Sequence, residues 1–284
     1  MQLSPQSFSV QSPGREARAW IGVDVAGGRT VIRRQHVGYP LHVTRGFYLD
    51  SGRPDLLTLY LQSASGGLYA GDRLQFDISV SEGAALCVTT QASTVVHNGR
   101  GIGSLQRQII DVGAGALCAL VCDPYVLFPG AQLAVRTIAS VAEDGVLIFI
   151  DGLTCHDPTQ RGGLFASYAS SLQVVRPDGR LLLSDVGELP GTSVGEAGGP
   201  LGGYAAAATV TIIGPSFRLP DPRALEQGVS DTGCLAGASA APNDAGLVMR
   251  MLAHGGGELM RGLEAAFHLA GSAAAGTALA RRRK

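Results

Sequence analysis

Four stretches of the sequence carry residues of the kinds that do chemistry. Gly191-Thr192-Ser193-Val194-Gly195 matches the G-x-S-x-G pattern of a nucleophile elbow, where a strand before the serine and a helix after it aim the hydroxyl. Here the motif lies between Pro190 and further glycines, so Ser193 is expected in a flexible loop. Cys155-His156-Asp157 sets a thiol, an imidazole and a carboxylate in one short segment. Adjacent residues on a strand point to opposite faces, so two of these meet on one cation only if the chain turns, as Asp157-Pro158 allows. Cys155 and His156 are therefore weak, transient metal candidates, with local hydrogen bonding as the ordinary role. Cys118 and Cys122 stand about 13 Å apart on a strand, too far to share an ion. Gly66-Gly67 with Gly71-Asp72 lacks the Lys-Ser/Thr of a phosphate loop and leads into a strand rather than a helix N-terminus. No catalytic set assembles from these residues. They favour a binding or scaffolding protein over an enzyme; a small-molecule hydrolase using Cys155/His156 or Ser193 is the alternative.

The elements that must hold these residues read as mainly β. Leu74, Phe76, Ile78 and Val80 alternate with Arg73, Gln75, Asp77 and Ser79, a strand with one wet and one buried face. Asp72 sits at its mouth, and the following strand ends in Thr89-Thr90-Gln91-Ala92-Ser93-Thr94, so polar groups gather at one end of a β layer. Turns after Val80, Val112 and Val141 share a loose repeat, a strand ending in Val, a turn containing Gly and a restart in small and apolar residues, recurring roughly every 30 residues. That period predicts stacked β units, with a plain sandwich as the competing arrangement. Arg176-Pro177-Asp178-Gly179-Arg180 is a hairpin turn, and Gly187 to Gly203 reads as a long glycine-rich loop. After a strand at Tyr204 to Ile213 the period becomes helical. Asn243 is expected to cap a helix bearing Leu247, Val248, Met251 and Leu252, and Glu258 to Leu269 puts Leu259, Leu263 and Phe267 on one stripe. The expected organisation is a mobile segment over 1–16 and a single domain over 17–284, with a β body at about 20–213 and C-terminal helices at about 243–270.

Composition narrows the class. Of 284 residues only 16% are charged and 40 are glycine, about twice the usual share of roughly 7%, which suits many short strands and tight turns. A formal net charge of -1 argues against a nucleic-acid partner, and Arg281-Arg282-Arg283-Lys284 reads as a solvated tail. No apolar run reaches the roughly 18 residues of a membrane span, and Met1 to Phe8 is unlike a signal peptide, so a cytoplasmic protein is expected. Five cysteines without a pairing pattern are expected to be reduced.

Four motifs in register carry a family resemblance. Pro40 to Tyr48, Gly66 to Leu74, Thr89 to Thr94 and Asp123 to Ala131 resemble the urease accessory protein UreD, also called UreH, over about Trp20 to Ile213. The sequence departs from that family at Cys122-Asp123-Pro124-Tyr125 and at Pro129-Gly130-Ala131-Gln132, where it shortens one acidic side chain and loses another. The resemblance implies a mainly β, helical-sheet fold with a small helical part. It also implies a non-enzymatic role in urease maturation: binding of urease apoprotein and of UreF and the GTPase UreG, possible dimerisation through that complex, and nickel in transit with no permanently bound cofactor. Nickel in transit calls for O and N donors that hold it loosely. On that implication Asp72, Thr90, Gln91 and Asp123 are candidates for a polar route, with strand-end capping as their plainer role. Met249, Met251, Leu252, Leu259, Leu263 and Phe267 are candidates for docking a helical partner.

Overall fold

The computed structural model describes residues 14–196 and 198–281. Two layered sheets make up the body. In the first, strands β1 (Glu16–Ala26), β2 (Arg29–Val37), β5 (Arg73–Val80), β8 (Ser104–Val112), β11 (Gln132–Val141), β13 (Ser167–Val175) and β14 (Leu181–Pro190) lie in the order β14-β13-β11-β8-β5-β1-β2. The second contains β3 (Leu41–Val43), β4 (Leu57–Ser63), β6 (Ala85–Thr90), β9 (Leu117–Leu120), β12 (Val146–Cys155), β15 (Ala206–Ile213), β16 (Leu235–Ala240) and β17 (Gly246–Ala253), in the order β16-β17-β15-β12-β9-β6-β4-β3. The short β7 (Val95–Val96) and β10 (Tyr125–Leu127) extend it beside β12.

From β4 to β13 the chain winds between the layers, so neighbours within each sheet run parallel. The repeated turns stack as the period predicts. Gly113 N–H donates to Val80 O at 2.8 Å and Ala142 N–H to Val112 O at 2.9 Å. On the other side of the turns, Leu117 and Val146 donate to Ala84 and Ala116 at 2.9 Å. Each coil thereby satisfies the backbone of the one before it. The architecture is mainly β, with solenoid-like stacked sheets and a small helical part.

Burial explains why the two sheets read differently. The first keeps one apolar face, with Leu74, Phe76, Ile78 and Val80 inward and Arg73 exposed. The central strands of the second are apolar on both faces. Leu86, Cys118, Leu147 and Phe149 pack between the sheets, while Ala85, Cys87, Leu117 and Ile148 pack under the helices α1 (Pro222–Ser230) and α2 (Gly256–Ala275). A strand covered on both sides loses its alternation.

Several expectations are corrected. Asn243 caps no helix: Leu247, Val248, Met251 and Leu252 lie on β17, which pairs with β15 (Val210 opposite Met249) and β16. The helical part is therefore α1 and α2, and α1 carries a signal the periodicity reading passed over, Asp221 accepting from Ala224 N–H at 2.8 Å ahead of Pro222. The glycine-rich stretch starts late, because β14 continues through Pro190 and a 3₁₀ turn follows at Gly191–Ser193. Of the expected mobile segment, residues 1–13 lie outside the described residues; Glu16 already pairs with Arg73. Among the described residues no helix is long and apolar enough to cross a membrane.

The end of α2 is closed from two distant places. Gly276 adopts φ +70°, the left-handed cap that glycine accepts without strain. Arg218 Nε donates to Ala274 O at 3.0 Å and Arg53 Nη1 to Ala275 O at 3.3 Å, cations at the negative end of the helix dipole. Arg218→Ala is expected to lower the unfolding free energy by about 1 to 2 kcal/mol. Urea titration followed by circular dichroism checks this, and an unchanged midpoint would show that the cap contributes nothing.

Candidate functional site

The polar strand ends converge. Thr90 closes β6, and its Oγ1 accepts from Asp123 N–H at 2.9 Å; Thr89 Oγ1, one residue earlier, donates to Val121 O at 2.9 Å. Gln91 Oε1 accepts from Gln62 Nε2, and Gln62 Oε1 lies 2.6 Å from His42 Nδ1. Thr90, Gln91, Gln62 and Asp123 border a cavity of about 270 Å³ between the sheets, lined also by Gln106, Cys122 and Tyr125. Three of the four route candidates thus share one space. Gly67 helps to shape its rim: at φ +132° an added Cβ would lie 2.3 Å from Val95 O.

Asp72 is the exception and does not line this cavity. Only 1% exposed, it accepts from Arg15 N–H and Nε, both at 3.0 Å, from Arg15 Nη2, and from Tyr69 N–H at 2.8 Å. Burial alone would raise its pKa, but these hydrogen bonds outweigh burial and hold the carboxyl below its ordinary range. The geometry makes Asp72 a clamp that ties the start of β1 to the Gly66–Asp72 turn.

Residues the sequence reading missed extend the polar lining inward. Asp151, on β12, accepts from the hydroxyls of Tyr168 and Ser170 on β13. All three line a second cavity of about 370 Å³, where Arg250 Nη2 bonds Asp185 Oδ1 at 2.8 Å. Tyr125 lines the first cavity and Tyr168 the second, with ring centroids 6.3 Å apart. Burial raises the pKa of both tyrosines well above the ordinary value, so they stay neutral phenols at pH 7. Burial also raises the Asp151 carboxyl despite the two donated hydroxyl bonds. Its position on β12 opposite β13 depends on sheet stacking, which no local motif encodes.

A third space, of about 670 Å³, runs between α2 and the ends of the second sheet's strands. Cys122 and Asp123 line it as well as the inter-sheet cavity, together with Leu263, Phe267, His268 and Leu269. The docking candidates are therefore divided. Leu263 and Phe267 border this groove, although both are largely covered. Met249, Met251 and Leu259 are buried where β17 packs against α2, so the chain's own core takes up those side chains. Leu252 lines the second cavity.

The remaining chemical candidates do not assemble. Cys155 packs against the inter-sheet core, and burial pushes its thiol up to about 12, leaving it protonated at neutral pH. His156 is exposed with its ring 5.7 Å from Phe128, and Asp157 accepts from the N–H groups of Thr159, Arg161 and Gly163 in its own loop. Ser193 is buried in the 3₁₀ turn. Among the described residues no three His, Cys, Asp or Glu side chains gather into a metal cluster.

Comparison with known proteins agrees with the motif order. The UreD urease accessory protein family matches residues 15–284. The chain is 58% identical over 281 residues to urease accessory protein UreD 3 of Bradyrhizobium sp. strain ORS 278, and 57% identical over 281 residues to UreD 1 of strain BTAi1, with 99% of each chain covered in both pairs. UreD 1 of Methylorubrum populi is 41% identical over 273 residues, covering 95% of this chain and 92% of the relative. Matched over nearly its whole length, the chain belongs to the UreD family of urease accessory proteins.

Proposed function

We propose that this chain serves urease maturation as a non-catalytic scaffold whose inter-sheet space offers nickel a loosely binding route, while its surfaces hold urease apoprotein and the accessory proteins UreF and UreG. The observation that carries the reading is the sharing of Cys122 and Asp123 between the groove under α2 and the inter-sheet cavity. A partner seated along Leu263 and Phe267 would then lie at the entrance to a space lined by oxygen donors and amides. Beyond Tyr125 and Tyr168, Asp151 with its two hydroxyl donors continues that polar lining. Carboxylate, hydroxyl and amide oxygens suit a divalent cation that must leave again, whereas a thiolate cage would retain it. In this reading nickel is cargo and no cofactor is resident.

The test is urease activity and nickel content in cells carrying the urease operon with this gene deleted or restored. Nickel-poor, inactive urease in the deletion strain, rescued by the native gene, is the expected result. Cys155→Ser and Ser193→Ala are expected to rescue as fully as the native gene. Failure of either to rescue while the variant remains folded would favour the hydrolase reading.

A further inference from the structure

The second cavity carries a fixed positive charge at its mouth. Arg250 is the one basic side chain among the described residues that line this space, which it shares with Asp151, Asp185 and Glu188. Asp185 lies on β14, the edge strand of the first sheet, and Arg250 on β17 of the second. Arg250 Nη2 donates to Asp185 Oδ1 at 2.8 Å, so the pair spans the gap between the layers. Exposure falls inward from there: the Arg250 side chain is 68% and that of Asp185 30% exposed, whereas Tyr168 is 6% and Thr211 1% exposed. Behind the pair the Thr211 hydroxyl lines the cavity with no hydrogen-bond partner among the described residues. Asp151 is held there by Tyr168 and Ser170. Burial first, and the charge of Asp185 after it, works against ionisation of Asp151, so the two carboxyls act on one space.

Carboxyl groups around a small cavity attract any divalent cation, and oxygen donors discriminate poorly between nickel and zinc. Affinity alone therefore does not choose the cargo. A fixed cation at the opening selects by direction instead, because it repels a metal ion arriving from solvent. The guanidinium keeps its proton at every physiological pH and neutralises the carboxylate it holds. An exposed ion pair adds little to stability. This one is accordingly a poor clamp for the fold, and it yields readily to a cation that reaches Asp185 from inside.

We propose that Arg250 sets the metal specificity of the route: its guanidinium bars solvent cations from the second cavity and gives up Asp185 only to a cation that has passed Tyr125 and Tyr168. Nickel delivered by a protein partner enters at the groove under α2, whereas free zinc meets the guarded end. The inference rests on the proposed route through the inter-sheet space and adds to it a means of keeping other metals out.

The test is the metal content of urease matured in vitro from nickel-free urease, this chain and its accessory proteins, with nickel and zinc supplied at equal concentration. Arg250→Gln is expected to lower the nickel-to-zinc ratio in urease several-fold, zinc taking the place of nickel, with the thermal midpoint of the chain unchanged. Arg250→Lys keeps the charge and is expected to restore most of the native ratio, which a purely structural role for the arginine would not require. A native ratio in Arg250→Gln overturns the inference. So does a loss of nickel with no gain of zinc, which would make Arg250 part of the hold on the cargo rather than its guard. Asp151→Asn, run alongside with nickel alone, separates the two levels. If it loses nickel while Arg250→Gln keeps the native ratio, the route stands and the guard falls; if it keeps native nickel, the route through this cavity falls and the guard with it.

Discussion

Asp72→Ala is expected to lower the unfolding free energy by about 3 kcal/mol, because it strands the Arg15 guanidinium and leaves the Arg15 and Tyr69 N–H groups without their acceptor. Urease activation by this variant should fall only in proportion to the folded chain remaining. The pH dependence gives a second readout. The Asp72 pKa is lower in the folded chain than in the unfolded one, where it is about 3.9. Its contribution is therefore complete above pH 4 and is lost as the pH falls through the folded value. Asp72→Asn should flatten that acid limb of the stability profile. A variant with native stability and poor activation would return Asp72 to the route.

Asp151→Asn is expected to act the other way round. It keeps the shape and removes a carboxyl whose ionisation burial disfavours, so unfolding free energy at pH 7 should hold or rise. The Asp151 pKa is higher in the folded chain, so the cost of ionising it appears as the pH rises above about 4 and is complete above the folded pKa. The advantage of the variant over the native chain should therefore grow across that window. If Asp151 steers nickel, the nickel content of urease should nevertheless drop on the order of tenfold, a typical result when a group that orients a metal is altered. Metal analysis of urease beside denaturation curves at several pH values separates the two effects. Native nickel content in the variant would remove Asp151 from the route.

How much was legible in the sequence depended on the range of the interaction. Leu74, Phe76, Ile78 and Val80 announce their strand because alternation is local, and the turns at Gly83, Gly113 and Gly145 announce stacking because they repeat. Leu259, Leu263 and Phe267 announce α2 by their stripe. The segment holding Leu247, Val248, Met251 and Leu252 fits a helical period as readily as a strand, and only pairing with β15 and β16 decides it. Thr90 and Gln91 stand out in the sequence because they end a strand in a polar cluster, whereas the cavity they share with Asp123 depends on how the strands stack. The clamp at Asp72 is not legible locally, since Arg15 lies 57 residues away. Asp151 was invisible, since its hydroxyl donors depend on how two sheets face each other.

The double closure of α2 bears on how the protein is made. Residues 256 to 275 follow all the strands of the body in the chain, and until they emerge, Ala85, Cys87, Leu117 and Ile148 lack the cover of α2 on that side of the second sheet. The nascent chain must carry a finished coil of strands with one greasy flank, the kind of species that aggregates or engages chaperones. Arg53 and Arg218, already in place, act as a latch awaiting the last helix. A chain truncated before Gly256 would thus lose its own lid along with any surface offered to a partner, and point substitutions along the groove are the sound way to separate the two.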